Sequence, residues 1–200
     1  MADLDQQLSA WLARLPTMMR MKELVNDPTQ PSAGGHTSIL SHVIYTRYLT
    51  VRILLTRPSL ATVANAARNS PGANVDDLTP LDQSFALCAA EACVDTSKRL
   101  IDHIQNDTGL QRRLVGATWY NTNCIFNSAL IIFSAHIIPA LQARVLDHCH
   151  WQACMELMKS FSHSCRSAQA CLSVLDLLNG RLAKAKSKNT RLHITCRELP

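Results

Sequence analysis

Apolar residues recur every three to four positions along almost the whole chain, and no stretch of useful length alternates as a half-buried strand does. The pattern predicts an all-α fold, an irregular bundle of about five to seven helices. Leu4, Leu8, Trp11, Leu12 and Leu15 fall on one face of a first helix, with Asp3 as its N-cap, Gln6 three residues on and Pro16 as its stop. A methionine-rich piece, TMMRMKELV, follows, and then NDPTQPSAGG, whose prolines and glycines suit a linker.

The second helix is expected from Thr37 or Ser38 to Arg57. Leu40, Val43, Ile44, Tyr48, Val51, Leu54 and Leu55 form its inward side, and His42, Thr46, Arg47, Thr50 and Arg57 lie toward the other. Pro58 lacks an amide hydrogen and ends the helix, which leaves Arg57 at the negative end of the helix dipole. Leu54 and Leu55 are expected in the core. Arg52, between packed flanks, is expected to hydrogen-bond a neighbouring segment through its guanidinium. Residues 59–78 read as a long loop with room for one helical turn around Ala61 to Ala67.

TPLD at 79–82 opens a third helix, with Thr79 as cap and Pro80 in the first turn. Its inward stripe reads Leu81, Phe85, Cys88, Ala89, Ala92, Thr96, Leu100 and Ile104, with small residues that admit a close neighbour. NDTG at 106–109 breaks it. A fourth helix runs from about Leu110 to Pro139, and a last helical pair covers roughly Val145 to Asn179, with Gly180 as the stop. Residues 1–180 form one helical domain, and 181–200 a basic tail of mobile character.

Composition changes this picture little: 47% hydrophobic and 18% charged residues describe a globular chain with large buried faces. Charge changes it more. From Gly180 onward there are six basic residues against Glu198 alone, whereas the remaining fourteen basic and fourteen acidic residues cancel. The body therefore lacks a basic field for nucleic acid. CIFNSALIIFSAHIIPAL at 124–141 is nearly long enough for a membrane span, but Asn127, Ser134, His136 and Pro139 mark it as a helix buried in protein. Asp3, Asp5, Gln6 and Gln7 interrupt the first apolar residues, which does not suit a signal-peptide core, and the eight cysteines, most of them in helical apolar positions, fit a reducing, intracellular setting.

The chemical candidates are few. His150 and Cys154 lie one helical turn apart, and His163 with Cys165 completes a possible four-ligand zinc set. Against it, His148, Cys149 and His150 are adjacent, so they cannot all face one metal from a helix, and no C-x2-C pair exists. Core thiols and rim histidines are the favoured reading, with no metal or other cofactor in this chain. Mid-helix cysteines lack the base or helix N-terminus that a nucleophile needs, and Cys196 is the one expected to be exposed. No nucleotide-binding glycine loop, HExxH or G-x-S-x-G occurs, so no catalytic residue is assigned. Asp76 and Asp77 read as a solvated turn. Tyr45, Tyr48, His42 and Arg52 suit either a ligand pocket or packing.

Taken in order, LDQQLSAWLARLP, HTSILSHVIYTRYLTVRILLTRP, CAAEACVDTSKRLI, ATWYNTNCIFNSALIIF and ELMKSFSHSCRSAQACLSVLDLL resemble the C-terminal portion of the fungal-specific transcription factor domain. This is the middle homology region of zinc binuclear cluster regulators. Trp11 and Pro16 match its Trp-then-Leu-Pro segment, Arg52, Arg57 and Pro58 its Arg-Ile-Leu-Leu-x-Arg-Pro helix end, and Cys88 its Cys-Ala-Ala. The resemblance implies a structural role for these residues, a nuclear location and control of RNA polymerase II transcription. It also implies a helical body that contacts proteins, associates with itself or senses a small-molecule effector. The family's zinc belongs to a separate N-terminal DNA-binding domain with paired C-x2-C-x6-C runs. The cysteine spacings here fit neither run, so zinc and DNA contact are expected only through such a missing domain, and no membrane contact is expected. A stand-alone dimerisation module that titrates a full-length regulator is the alternative, and a small helical metal protein or enzyme the third.

Overall fold

The computed structural model describes residues 2–16, 19, 35–68, 79–106 and 118–195. Among these the fold is all-α, as expected, with seven α-helices and no strand. They are α1 (Ala2–Arg14), α2 (Gly35–Thr56), α3 (Pro58–Arg68), α4 (Pro80–Asn106), α5 (Thr118–Ile137), α6 (Cys149–Ser162) and α7 (Arg166–Thr195), with a 3-10 segment at Pro139–Arg144. No helix among the described residues is long and apolar enough to cross a membrane.

Helix α4 is the hub. It packs against α2, α3, α5, α6 and the 3-10 segment, while α5 meets α6 and α7 on its far side. Ala86, Ala89, Ala90, Cys93 and Ser97 are buried on α4, and Ala129 and Ala135 on α5, so the two backbones approach closely. Leu100, Ile101, Ile104, Ile125 and Ile132 fill the space beyond them and are fully buried. Each such side chain contributes about 1.5–3 kcal/mol. Hydroxyls enter this core at little cost because they bond the carbonyl one turn back, as Thr96 does to Ala92, Ser97 to Cys93 and Thr122 to Thr118.

The Thr79 cap is as expected: its Oγ1 accepts from the Asp82 amide at 3.2 Å, and the Asp82 carboxylate accepts from the Thr79 amide at 3.1 Å. Asp3 is not the N-cap of α1. That helix starts at Ala2, and Asp3 takes a hydrogen bond from Gln7 one turn on. Pro58 ends α2 but also begins α3, since a proline in the first turn lacks only an amide that would be unpaired anyway. The expected loop from 59 is therefore helical to Arg68, with Ser59, Leu60 and Val63 buried, and Arg57 is the turn residue between two helices. The 69–78 part of that loop and the proposed start near Leu110 lie outside the described residues, as do the linker and Cys196. Helix α7 passes through Gly180 to Thr195, so the boundary drawn at 180 does not coincide with a helix end. Space is open around Gly180, and one glycine among good helix formers costs only about 1 kcal/mol.

The α2 and α4 faces also depart from expectation. Ser41, His42, Thr46, Leu49, Ile53 and Thr56 point inward on α2, while Leu40, Val51 and Leu54 are exposed and Leu55 is half-buried. The α2 sequence carries only Arg47 and Arg52 as charges and is apolar nearly all round, so no stripe outweighs the others. On α4 the inward stripe holds at Thr96, Leu100 and Ile104 but fails at the start. There Leu81 is 78% exposed and Phe85 and Cys88 are exposed too, while Ala86, Ala89 and Ala90 take the inward positions.

Candidate functional site

Two surface features carry chemistry. The first is a groove between α2 and α5, with Ile53, Leu100 and Cys124 at its floor and a volume of about 150 Å³. Leu54, 59% exposed, and Trp119, 64% exposed, line the same groove, with Arg57, Asn123 and Asn127 supplying polar contacts. Burial raises the Cys124 thiol and the Tyr120 phenol above their ordinary pKa, so both are neutral hydrogen-bonding groups. The groove is thus apolar inside, uncharged except at Arg57, and open.

The second is the corner that enters α6. His148 adopts the left-handed conformation at φ 52° and ψ 0°, the one non-glycine residue with positive φ among the described residues. This costs about 1–3 kcal/mol and turns the chain sharply, which places Asp147 back over the first turn of α6. The His148 ring stacks on His136 with centroids 4.6 Å apart. His136 Nδ1 faces the Ile132 carbonyl, which can only accept, so its Nε2 accepts from His148 Nδ1.

At this corner Cys149 donates its S–H to Asp147 at 2.9 Å and lies 3.1 Å from His150 Nδ1. His150 Nε2 faces the Asp102 carboxylate of α4 at 3.2 Å. Asp147, Cys149 and His150 place an oxygen, a sulfur and a nitrogen within 4.8 Å of one another, and Gln105, Gln152 and Glu156 line the cleft beside them. Hydrogen bonding from the thiol lowers the Asp147 pKa, and the same bond raises that of Cys149. A thiol held protonated in this way is not an activated nucleophile.

The four residues that the sequence offered as a possible, disfavoured zinc set do not come together. His150 faces Asp102 at the surface, whereas Cys154 is fully buried and its thiol pKa is pushed up to about 12 by burial. His163 caps the other end of α6 and is exposed, about 20 Å along the helix from His150 at 1.5 Å per residue. Cys165 sits just before α7, where hydrogen bonds from the Ser167 hydroxyl and the Ala168 amide lower its pKa. Sequence reasoning missed Asp147, and set Cys149 aside as adjacent to His150, because it ran the helix from about Val145 and so passed over the turn at His148. The signal it passed over was the helix start itself, which frees the preceding residue to fold back.

The family-signature residues are scattered and not gathered into one site. Trp11 is 46% exposed and Pro16 is exposed. Arg52 grips Asp5 with both arms, Nε to Oδ1 at 2.8 Å and the second amino group to Oδ2 at 3.0 Å, and so ties α1 to α2 as the reading of its guanidinium anticipated. Of the aromatic group on α2, His42 stacks on His103 at 4.2 Å and Tyr45 meets His103 edge-on at 4.9 Å, an arrangement of packing and not of a pocket. Comparison of the chain with protein-family models, with curated proteins and with solved structures finds no match.

Proposed function

We propose that this chain is the regulatory and interaction part of a fungal transcription regulator, working in the nucleus on RNA polymerase II transcription. The regulatory role comes from the resemblance. The observation that supports an interaction surface is the apolar groove rimmed by Leu54 and Trp119, two large side chains left in water beside a dry floor. Its volume of about 150 Å³ matches a cavity for one benzene-sized group and falls short of the roughly 300–1,000 Å³ of metabolite pockets. The groove therefore suits one side chain of a protein partner or of a second copy better than a whole effector molecule. A body whose charges cancel offers no net basic charge to hold DNA directly.

Tethering the 200-residue chain to an unrelated DNA-binding domain tests the reading. Reporter transcription changes, and Leu54→Asp with Trp119→Asp removes the change at equal protein level. An inert tethered chain, or nanomolar sequence-selective DNA binding by the chain alone, would sink the proposal.

A further inference from the structure

We propose that Asp147, Cys149 and His150 form a binding site for one divalent transition-metal ion of borderline-soft character, zinc in the first place, with Asp102 as the residue that orients His150. The site stands independently of the transcriptional reading, and it departs from the expectation that zinc belongs only to a separate DNA-binding domain. It shares only His150 with the set first suggested by the sequence.

The donors are of three kinds and already converge, with Cys149 Sγ 2.9 Å from Asp147 Oδ2 and 3.1 Å from His150 Nδ1. A tetrahedral ion with bonds of about 2.3 Å to sulfur and 2.0–2.1 Å to nitrogen or oxygen holds such atoms about 3.6 Å apart. The two pairs that involve sulfur have to open by about 0.5–0.7 Å, and the Asp147 oxygen and His150 nitrogen already lie within 4.8 Å of each other, so small side-chain rotations at an exposed corner suffice. Sulfur, nitrogen and oxygen together select zinc-class ions over magnesium or calcium, which take oxygen alone.

Orientation is the second observation. Asp102 can accept a hydrogen bond from His150 Nε2 at 3.2 Å, the tautomer that leaves the Nδ1 lone pair on the side of the Cys149 sulfur. Metal-binding histidines are held in tautomer and ring direction by such a carboxylate. The left-handed turn at His148 is the third element: it lies between Asp147 and Cys149, and its ring is held against that of His136 with centroids 4.6 Å apart. Three protein ligands leave a fourth position to water on the side of the cleft. On binding, the metal–sulfur bond replaces the S–H bond, and the thiol proton passes to solvent.

Cobalt(II) added to the full chain under reducing, strictly thiol-free buffer is the probe, read by thiolate-to-cobalt charge-transfer absorption. The band is expected to saturate at one ion per chain and to vanish when zinc displaces cobalt. Cys149→Ser abolishes it with far-UV circular dichroism unchanged, and Asp102→Asn weakens binding about 10–100-fold. The double change His163→Ala with Cys165→Ser leaves it intact. A wild-type chain without the band, a band that survives Cys149→Ser, or one lost with His163 and Cys165 overturns the assignment.

Discussion

In α6 the buried and exposed positions follow the apolar and polar ones: Trp151, Cys154, Met155, Leu157, Met158 and Phe161 are inside, and Gln152, Glu156, Lys159 and Ser160 outside. In α2 the relation is blurred, with Ser41, His42, Thr46 and Thr56 inside beside Tyr48, Leu49 and Ile53, and Leu40, Val51 and Leu54 outside. The inward face of α2 even leaves Thr46 Oγ1, and His103 Nε2 opposite it, without a hydrogen-bond partner among the described residues. Each such buried group costs about 1–3 kcal/mol. A helix with strong polar contrast is oriented by its own pattern. One that is apolar all round is oriented by its neighbours, here α4 and the clamp between Arg52 and Asp5, and its surplus apolar side remains available to a partner.

The largest expected effects lie on the inward faces. Leu49→Ala in α2 and Met158→Ala in α6, both fully buried, should each cost about 2–5 kcal/mol in urea unfolding. A loss below about 1 kcal/mol at Leu49 would return the apolar side of α2 to the core and break the contrast between the helices.

The His42–His103 stack sharpens it. Burial first, and the neighbouring His42 second, lower the His103 pKa from 6.5 to about 4. Between those values the unfolded chain binds a proton that the folded chain refuses, so this contribution is complete above pH 6.5 and is lost as pH falls toward 4. The whole swing is about 3 kcal/mol. Unfolding midpoints across pH 4–7 should show it, and His103→Phe should flatten that part of the profile. An unchanged profile would mean that His103 is not buried against α2.

Much of the fold was legible because it depends on contrast and punctuation. The Thr79–Asp82 cap and the small residues that let α5 approach α4 are both visible as residue types at fixed spacing. The α2 face was not legible, since only two charges interrupt its apolar surface and two of its threonines hide their hydroxyls on their own backbone, Thr50 on Thr46 and Thr56 on Arg52. At the corner, His150 was visible as a ligand type. Asp147 and Cys149 were not, because their meeting depends on the left-handed backbone at a histidine, which spacing does not encode.

Smaller effects test the edges of the comparison. Trp151→Phe keeps the ring beside Phe133 but removes the 3.0 Å bond to Asn179, which ties α6 to α7. It should cost about 1 kcal/mol in urea unfolding, and no change would show that α6 is held by its apolar stripe alone. Arg52→Met breaks the half-exposed pair with Asp5 and should cost about 0.2–1 kcal/mol, less at high salt. A loss of several kcal/mol would make that clamp, and not the neighbours on α4, the element that orients α2.

Leu54 is where the account is most exposed to contradiction. The direct measurement is the urea unfolding free energy of Leu54→Asp beside that of the unaltered chain. A solvent-facing Leu54 predicts a change within about 0.5 kcal/mol. A loss of several kcal/mol would place Leu54 in the core and remove the surface on which the proposed partner docks.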